Sequence, residues 1–169
     1  QEYIPYVWGG ISMVNLCGKK FKTETKGKRK FYTIENCKQS TKTGFDCSNV
    51  IIRAAQIAGM PFYFKNTYTI GQNLKQIEPG QPLPNGTIII WPGHVVVLTN
   101  AKNGTIVEAG DYLYGWGKLH KVEMFNFFKG LKTTQDLGKA YQKKERLLRL
   151  DPSGKVVQNI SKFNIYYPG

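Results

Sequence analysis

The sequence lacks any apolar run near the roughly 18 residues that cross a bilayer as a helix. Its longest, Thr87–Trp91 and Val95–Leu98, are strand-sized, which predicts a soluble protein. Acidic side chains are scarce, 11 Asp and Glu against 24 Lys and Arg, and the formal charge of +13 favours polyanionic partners. Nucleic acid is not favoured among these, because no zinc-finger spacing, RNP-like motif or basic heptad helix accompanies the charge. Three cysteines allow at most one internal disulfide, so the core does not rest on disulfides. What is present suffices for a core: 169 residues, 41% apolar and 13% aromatic, bury about two-thirds of their unfolded surface. No internal repeat is found. The expectation is one domain spanning residues 1–169, a monomer, with no cofactor and no metal.

The charge is unevenly placed. Residues 11–43 carry nine basic and two acidic side chains, and residues 118–169 carry eleven and four, while 44–117 hold four of each. Positive charge therefore flanks a neutral middle. The basic flanks are expected to position the protein on an anionic surface, with chemistry in the middle.

The chain starts at Gln1 without a Met, which is read as an exported protein whose signal peptide has been removed. In that compartment Cys17 and Cys37 could close a loop of about 20 residues and stabilise it by roughly 3 kcal/mol. In a cytosolic protein they would be two unrelated thiols.

Along the chain, Tyr6-Val-Trp-Gly-Gly10 ends in a glycine pair suited to a tight turn. Residues 18–30 are too charged for a core and read as an exposed loop or hairpin within a basic insertion. From Ser48 to Ala58, apolar residues recur at helical spacing until Gly59 and Pro61 stop them. A second, weaker helix is expected over Thr67–Ile77, then a Pro/Gly-rich loop to Gly86. Thr87–Trp91 and His94–Asn100 flank Pro92-Gly93 as a hairpin, Thr105–Ala109 is a third strand, and Asp151-Pro-Ser-Gly154 turns a further hairpin. Helices leading and strands following predict an α+β fold, N-terminal helices packed on an antiparallel β-sheet.

Cys47 sits where the first helix opens. A thiol is a nucleophile as thiolate, which a helix N-terminus favours through its unsatisfied N–H groups and aligned peptide dipoles. His94 opens an apolar strand directly after a turn, whereas His120, the other histidine, lies among lysines. Glu108, between Val107 and Ala109, is placed on the next strand to accept from the imidazole and fix its orientation. Each residue also has a plain reading. Free cysteine is most often a small buried hydrophobe, and a strand histidine is often structural. A carboxylate on an apolar strand needs a cationic partner, which a lysine could supply. It is the order Cys, His, acceptor, each in its own local context, that points to chemistry.

Tyr6-Val-Trp-Gly-Gly10, Gly44-Phe-Asp-Cys-Ser48 opening a helix and Gly93-His-Val95 opening a strand together resemble the NlpC/P60 cysteine peptidases. The resemblance covers roughly residues 3–10 and 44–110. It implies a papain-like core with a basic insertion at 11–43, Cys47 as nucleophile, His94 as general base and Glu108 in the third polar position. It also implies that Tyr6, Asp46 and Ser48 line the substrate site, with Trp8 as a wall of the cleft. The plain role of Asp46 is a helix cap, and that of Ser48 is to satisfy a first-turn N–H. The implied function is a peptidoglycan hydrolase, cutting the bond between γ-D-glutamyl and meso-diaminopimelate or lysine in stem peptides, with anionic wall polymers as partners of the basic regions.

The sequence departs from the family pattern in several places. Asn49 replaces the usual Gly, Glu108 stands where His is usual, about 33 residues separate the first two motifs, and residues 118–169 have no placed counterpart. A CHAP-like amidase is one alternative, since its third residue is more often acidic. An exported toxin or effector with an immunity protein is another, and a wall-binding module with a degenerate site a third.

Overall fold

The computed structural model describes Ile4, Tyr6 and residues 11–12, 21–26, 29–34, 44–60 and 66–169, those at 11–34 by backbone alone. Trp8, Cys17 and Cys37 lie outside the described residues. In chain order the elements are β1 (Ile11–Ser12), β2 (Phe21–Lys26), β3 (Arg29–Ile34), β4 (Gly44–Phe45), α1 (Cys47–Ile57), α2 (Thr67–Asn73), β5 (Thr87–Trp91), β6 (His94–Asn100) and β7 (Thr105–Ala109). A 3-10 turn over Tyr112–Tyr114 follows, then β8 (Leu119–Glu123), α3 (Met124–Phe127), α4 (Thr134–Gln142), β9 (Leu147–Leu150), β10 (Val156–Ile160) and β11 (Asn164–Tyr166). The class is α+β with antiparallel pairing, but helices do not only lead: α3 and α4 lie between strands. No described helix is long and apolar enough to cross a membrane.

Chain contacts divide the molecule into two compact units: residues 1–65 with 109–120, and residues 66–108 with 121–169. In the first, β2 and β3 pair antiparallel with Lys26 opposite Arg29, a hairpin where the charged insertion predicted a loop or hairpin. β1 pairs with β4, and Tyr6 bridges to Phe45. Tyr6, Phe45 and Ala109 form a buried apolar cluster, with Ile4, Val50 and Leu119 packed against it. The helix expected from Ser48 begins one residue earlier, at Cys47, because Asp46 supplies its N-cap.

The second unit is framed by a sheet of order β11-β5-β6-β7-β8. The β5–β6 turn closes with Trp91 opposite His94, where Pro92 presets its φ and Gly93 takes φ 82°. Residues of β5 and β6 are buried on both strand faces, which is why their sequences run Ile-Ile-Ile and Val-Val-Val and do not alternate. Each such aliphatic side chain contributes about 1.5–3 kcal/mol on burial. The C-terminal region supplies β8 and β11, the two edge strands of this sheet, together with the β9–β10 hairpin.

One element is shorter than expected. α2 ends at Asn73, and Leu74 is already extended at ψ 147°. Beyond it Gln76 bridges Tyr166 and the Ile77 N–H donates to the Ile165 carbonyl at 2.8 Å, so pairing with β11 takes the backbone groups that four more helical residues would have used.

Candidate active site

In the first unit, the site residues are held by local bonds. Asp46 is the N-cap of α1: its Oδ1 accepts from the Asn49 N–H at 2.8 Å and from the Ser48 hydroxyl at 3.0 Å. The capping role weighed for Asp46 is therefore what its side chain performs here. Ser48 differs from its plain reading, since its hydroxyl reinforces the cap carboxylate and does not satisfy a first-turn N–H. Cys47 is the first helical residue, with 7% of its surface exposed. Negative charge at that end of a helix is favoured by the peptide dipoles. Tyr6, expected beside substrate, is 2% exposed within the Phe45 and Ala109 cluster, and its N–H donates to the Gly117 carbonyl at 2.9 Å.

In the second unit, His94 and Glu108 meet. Their strands pair with Val97 opposite Val107, which puts Glu108 on the same sheet face as His94 in a diagonal relation. Nε2 of His94 lies 2.5 Å from Oε2 of Glu108, and the two residues are 5% and 1% exposed. Trp91, across the turn, tilts its ring against the imidazole at 5.0 Å between centroids. With Nε2 engaged by the carboxylate, proton exchange by this ring runs through Nδ1.

A fourth residue was missed. Glu108 does find a cationic partner besides the histidine, and it is an arginine, not the lysine considered from sequence. One terminal nitrogen of Arg149 donates to both carboxylate oxygens, at 2.7 and 2.9 Å, and Arg149 has 0% exposure. Its guanidinium lies 5.2 Å from the centroid of Phe127 and 5.9 Å from that of Trp91, a cation against two aromatic rings. β9 carries it, and Phe128 bridges to Arg149 while the Lys129 N–H donates to the Leu148 carbonyl, which places the strand against the end of α3. The signal available in the sequence was an arginine inside the apolar run Leu147-Leu-Arg-Leu150. Buried charges are tolerated when paired and hydrogen-bonded, and here a guanidinium and an imidazole nitrogen converge on one carboxylate.

His120 is buried in the first unit and stacks on Trp116 at 3.9 Å with the rings 7° from parallel. Among the described residues, no three of His, Cys, Asp and Glu cluster closely enough to hold a metal ion. Comparison with protein-family models, characterised proteins and solved structures finds no match to this chain.

Proposed function

We propose that the protein is an exported thiol hydrolase that cuts amide bonds in bacterial cell-wall stem peptides, at the γ-D-glutamyl-diamino acid bond. The observation that carries this reading is the buried hydrogen bond between His94 and Glu108. A histidine whose Nε2 is anchored to a carboxylate, itself anchored to an arginine, is oriented to work through its other nitrogen, which is how an imidazole serves a thiol. Cys47 at a helix N-terminus is the matching nucleophile.

The reaction follows from these roles. His94 Nδ1 takes the thiol proton, and the Cys47 sulfur attacks the amide carbonyl. Backbone N–H groups at the start of α1 stabilise the oxyanion. The imidazolium then gives its proton to the leaving amine as the C–N bond breaks, which leaves a thioester on Cys47. Water, losing a proton to His94, attacks the thioester and frees the carboxylate product and the thiol. Glu108 enters no bond change; it holds the ring and balances the imidazolium charge.

The test is hydrolysis of a γ-D-glutamyl-diamino acid peptide by the intact protein and by Cys47→Ala, read by mass spectrometry. Product from both, or from neither, removes the reading. A thiol-reactive probe provides an independent check: Cys47 should label faster than Cys17 and Cys37, and His94→Gln should slow Cys47 alone. A second reading, CHAP-like cleavage of the N-acetylmuramoyl-L-alanine bond or a cross-bridge, is favoured by one feature, the acidic third residue. Muropeptide masses after digestion of sacculi separate the two bonds. If the protein is instead a toxin acting on another amide, sacculi stay intact while a co-purifying immunity partner blocks Cys47 labelling.

A further inference from the structure

Two clefts in the second unit adjoin along one seam. The first, about 580 Å³, is lined by residues 80–83, Ala101, Lys102 and the face of α4 that carries Thr134, Gly138 and Gln142. The second, about 450 Å³, is lined by Gln76, Pro79, residues 161–164 and the chain at Tyr141, Lys144 and Glu145. Neighbours in sequence line the two: Gly80 and Gln142 face the first, Pro79 and Tyr141 the second. A Cβ on Gly80 would stand 3.7 Å from Nε2 of Gln142, so loop and helix approach closely beside Pro79 and Tyr141 of the second cleft.

The charge of this seam is one-sided. Lys102 and Lys139 line one cleft and Lys144 and Lys162 the other, against the single carboxylate of Glu145. All four lysines are exposed, and none shares in the ion pairs of the described residues. Lys139 acts at a distance on the Asp136 carboxylate, one turn away on the same helix. Among the described residues, no arginine lines either cleft. An ammonium binds a phosphate as a point charge without a fixed fork geometry, so four lysines spread along the seam suit phosphates spaced along a chain. Gln81, Gln135 and Gln142 add side-chain amides able to both donate to and accept from hydroxyl groups. The aromatic rings present, Tyr141 and Phe163, are buried against each other at 5.6 Å, so no exposed ring offers a base a stacking platform.

We infer that the adjoining clefts form a binding groove for a linear phosphodiester polymer of sugar or polyol units. The groove belongs wholly to the second unit. Only its connection to a wall substrate rests on the thiol-hydrolase reading; the binding itself does not.

The experiment uses the full chain carrying Cys47→Ser, so that binding is read without turnover, and poly(glycerol phosphate) as the probe, titrated calorimetrically at several salt concentrations. K102Q/K139Q/K144Q/K162Q is expected to weaken binding at least ~10-fold and to flatten the slope of log affinity against log salt by about 3. K118Q/K121Q/K129Q/K155Q, with the same loss of charge outside the clefts, should weaken it less than ~3-fold, the share due to the general field. Backbone amide shifts at Lys102, Gly138 and Lys162 on adding the probe locate the groove without any substitution. Equal weakening by the two variants, no effect of the first, or shifts elsewhere would overturn the inference. So would polygalacturonate, an oligothymidylate or anionic-lipid vesicles binding as tightly as poly(glycerol phosphate).

Discussion

The two units of this protein hold their polar groups in opposite ways. In the first, Asp46, Ser48 and Asn49 bond within three positions of one another at a partly exposed helix start. In the second, His94, Glu108 and Arg149 lie 14 and 41 positions apart and are buried. A local cap forms with its own helix and is nearly indifferent to the rest of the chain. A buried charge network exists only when strands β6, β7 and β9 are all in place, and leaving one member unpaired in the interior costs far more than the network contributes when complete. The setting of Cys47 is thus tied to a helix, and that of His94 to the whole fold of its unit.

Substitutions can sharpen or break that contrast. The largest expected effect is on turnover: Cys47→Ala should reduce hydrolysis of the γ-D-glutamyl peptide at least ~10³-fold while the urea midpoint stays where it was. His94→Ala should match that loss, and Glu108→Ala should fall short of it, since an orienting carboxylate touches no reacting atom. Glu108 equal to His94 in effect would show that the carboxylate does more than orient.

Arg149→Met should separate stability from local chemistry. It leaves the Glu108 carboxylate without its guanidinium in the interior, at an expected cost of about 3–5 kcal/mol in denaturant unfolding. Adding Glu108→Gln removes the stranded charge, so the double variant should be more stable than Arg149→Met alone. A double variant that merely sums the two single losses would mean the pair is not coupled.

Asp46→Ala should cost only about 1 kcal/mol and leave the second unit's hydrogen-exchange protection intact. Asp46→Asn should keep most of that stability, because an amide oxygen also caps. A loss of several kcal/mol would show the cap to be less local than its bonds.

The smallest effect is in acid. The Asp136 carboxyl is held below its ordinary value of 3.8, first by the Lys132 backbone N–H, then by that of Thr133, in the capping box of α4. A depressed folded value means that its contribution is complete above the unfolded value and is lost as pH falls through the lower folded one. Asp136→Asn should therefore flatten the acid limb of stability below about pH 4. An unchanged limb would assign it to other carboxylates.

Much of the local structure was legible because it depends on near neighbours. Asp-Cys-Ser before an apolar 3.6-residue period marks α1 and its cap, Pro92-Gly93 marks the turn that presents His94, and Asp151-Pro-Ser-Gly154 marks the β9–β10 hairpin. α2 was read too long because Leu74 and Ile77 keep the helical period while the backbone at Gln76 and Ile77 pairs with a strand almost 90 residues further along. Arg149 was overlooked for a related reason: one arginine in a strand looks solvent-facing until the strand's neighbours are known.

The residues alone determined which groups are available: one thiol heading a helix, one histidine after a turn, one carboxylate on an apolar strand, and an excess of lysine. Tertiary structure decided which of them are partners. It set His94 against Glu108 through strand register and brought Arg149 to that carboxylate from a strand the sequence left without a role. Covalent neighbours dictate caps and turns through short-range sterics and hydrogen bonds, whereas pairing across 41 positions is selected only by the packed interior, where a charge without its counterion is too costly to keep.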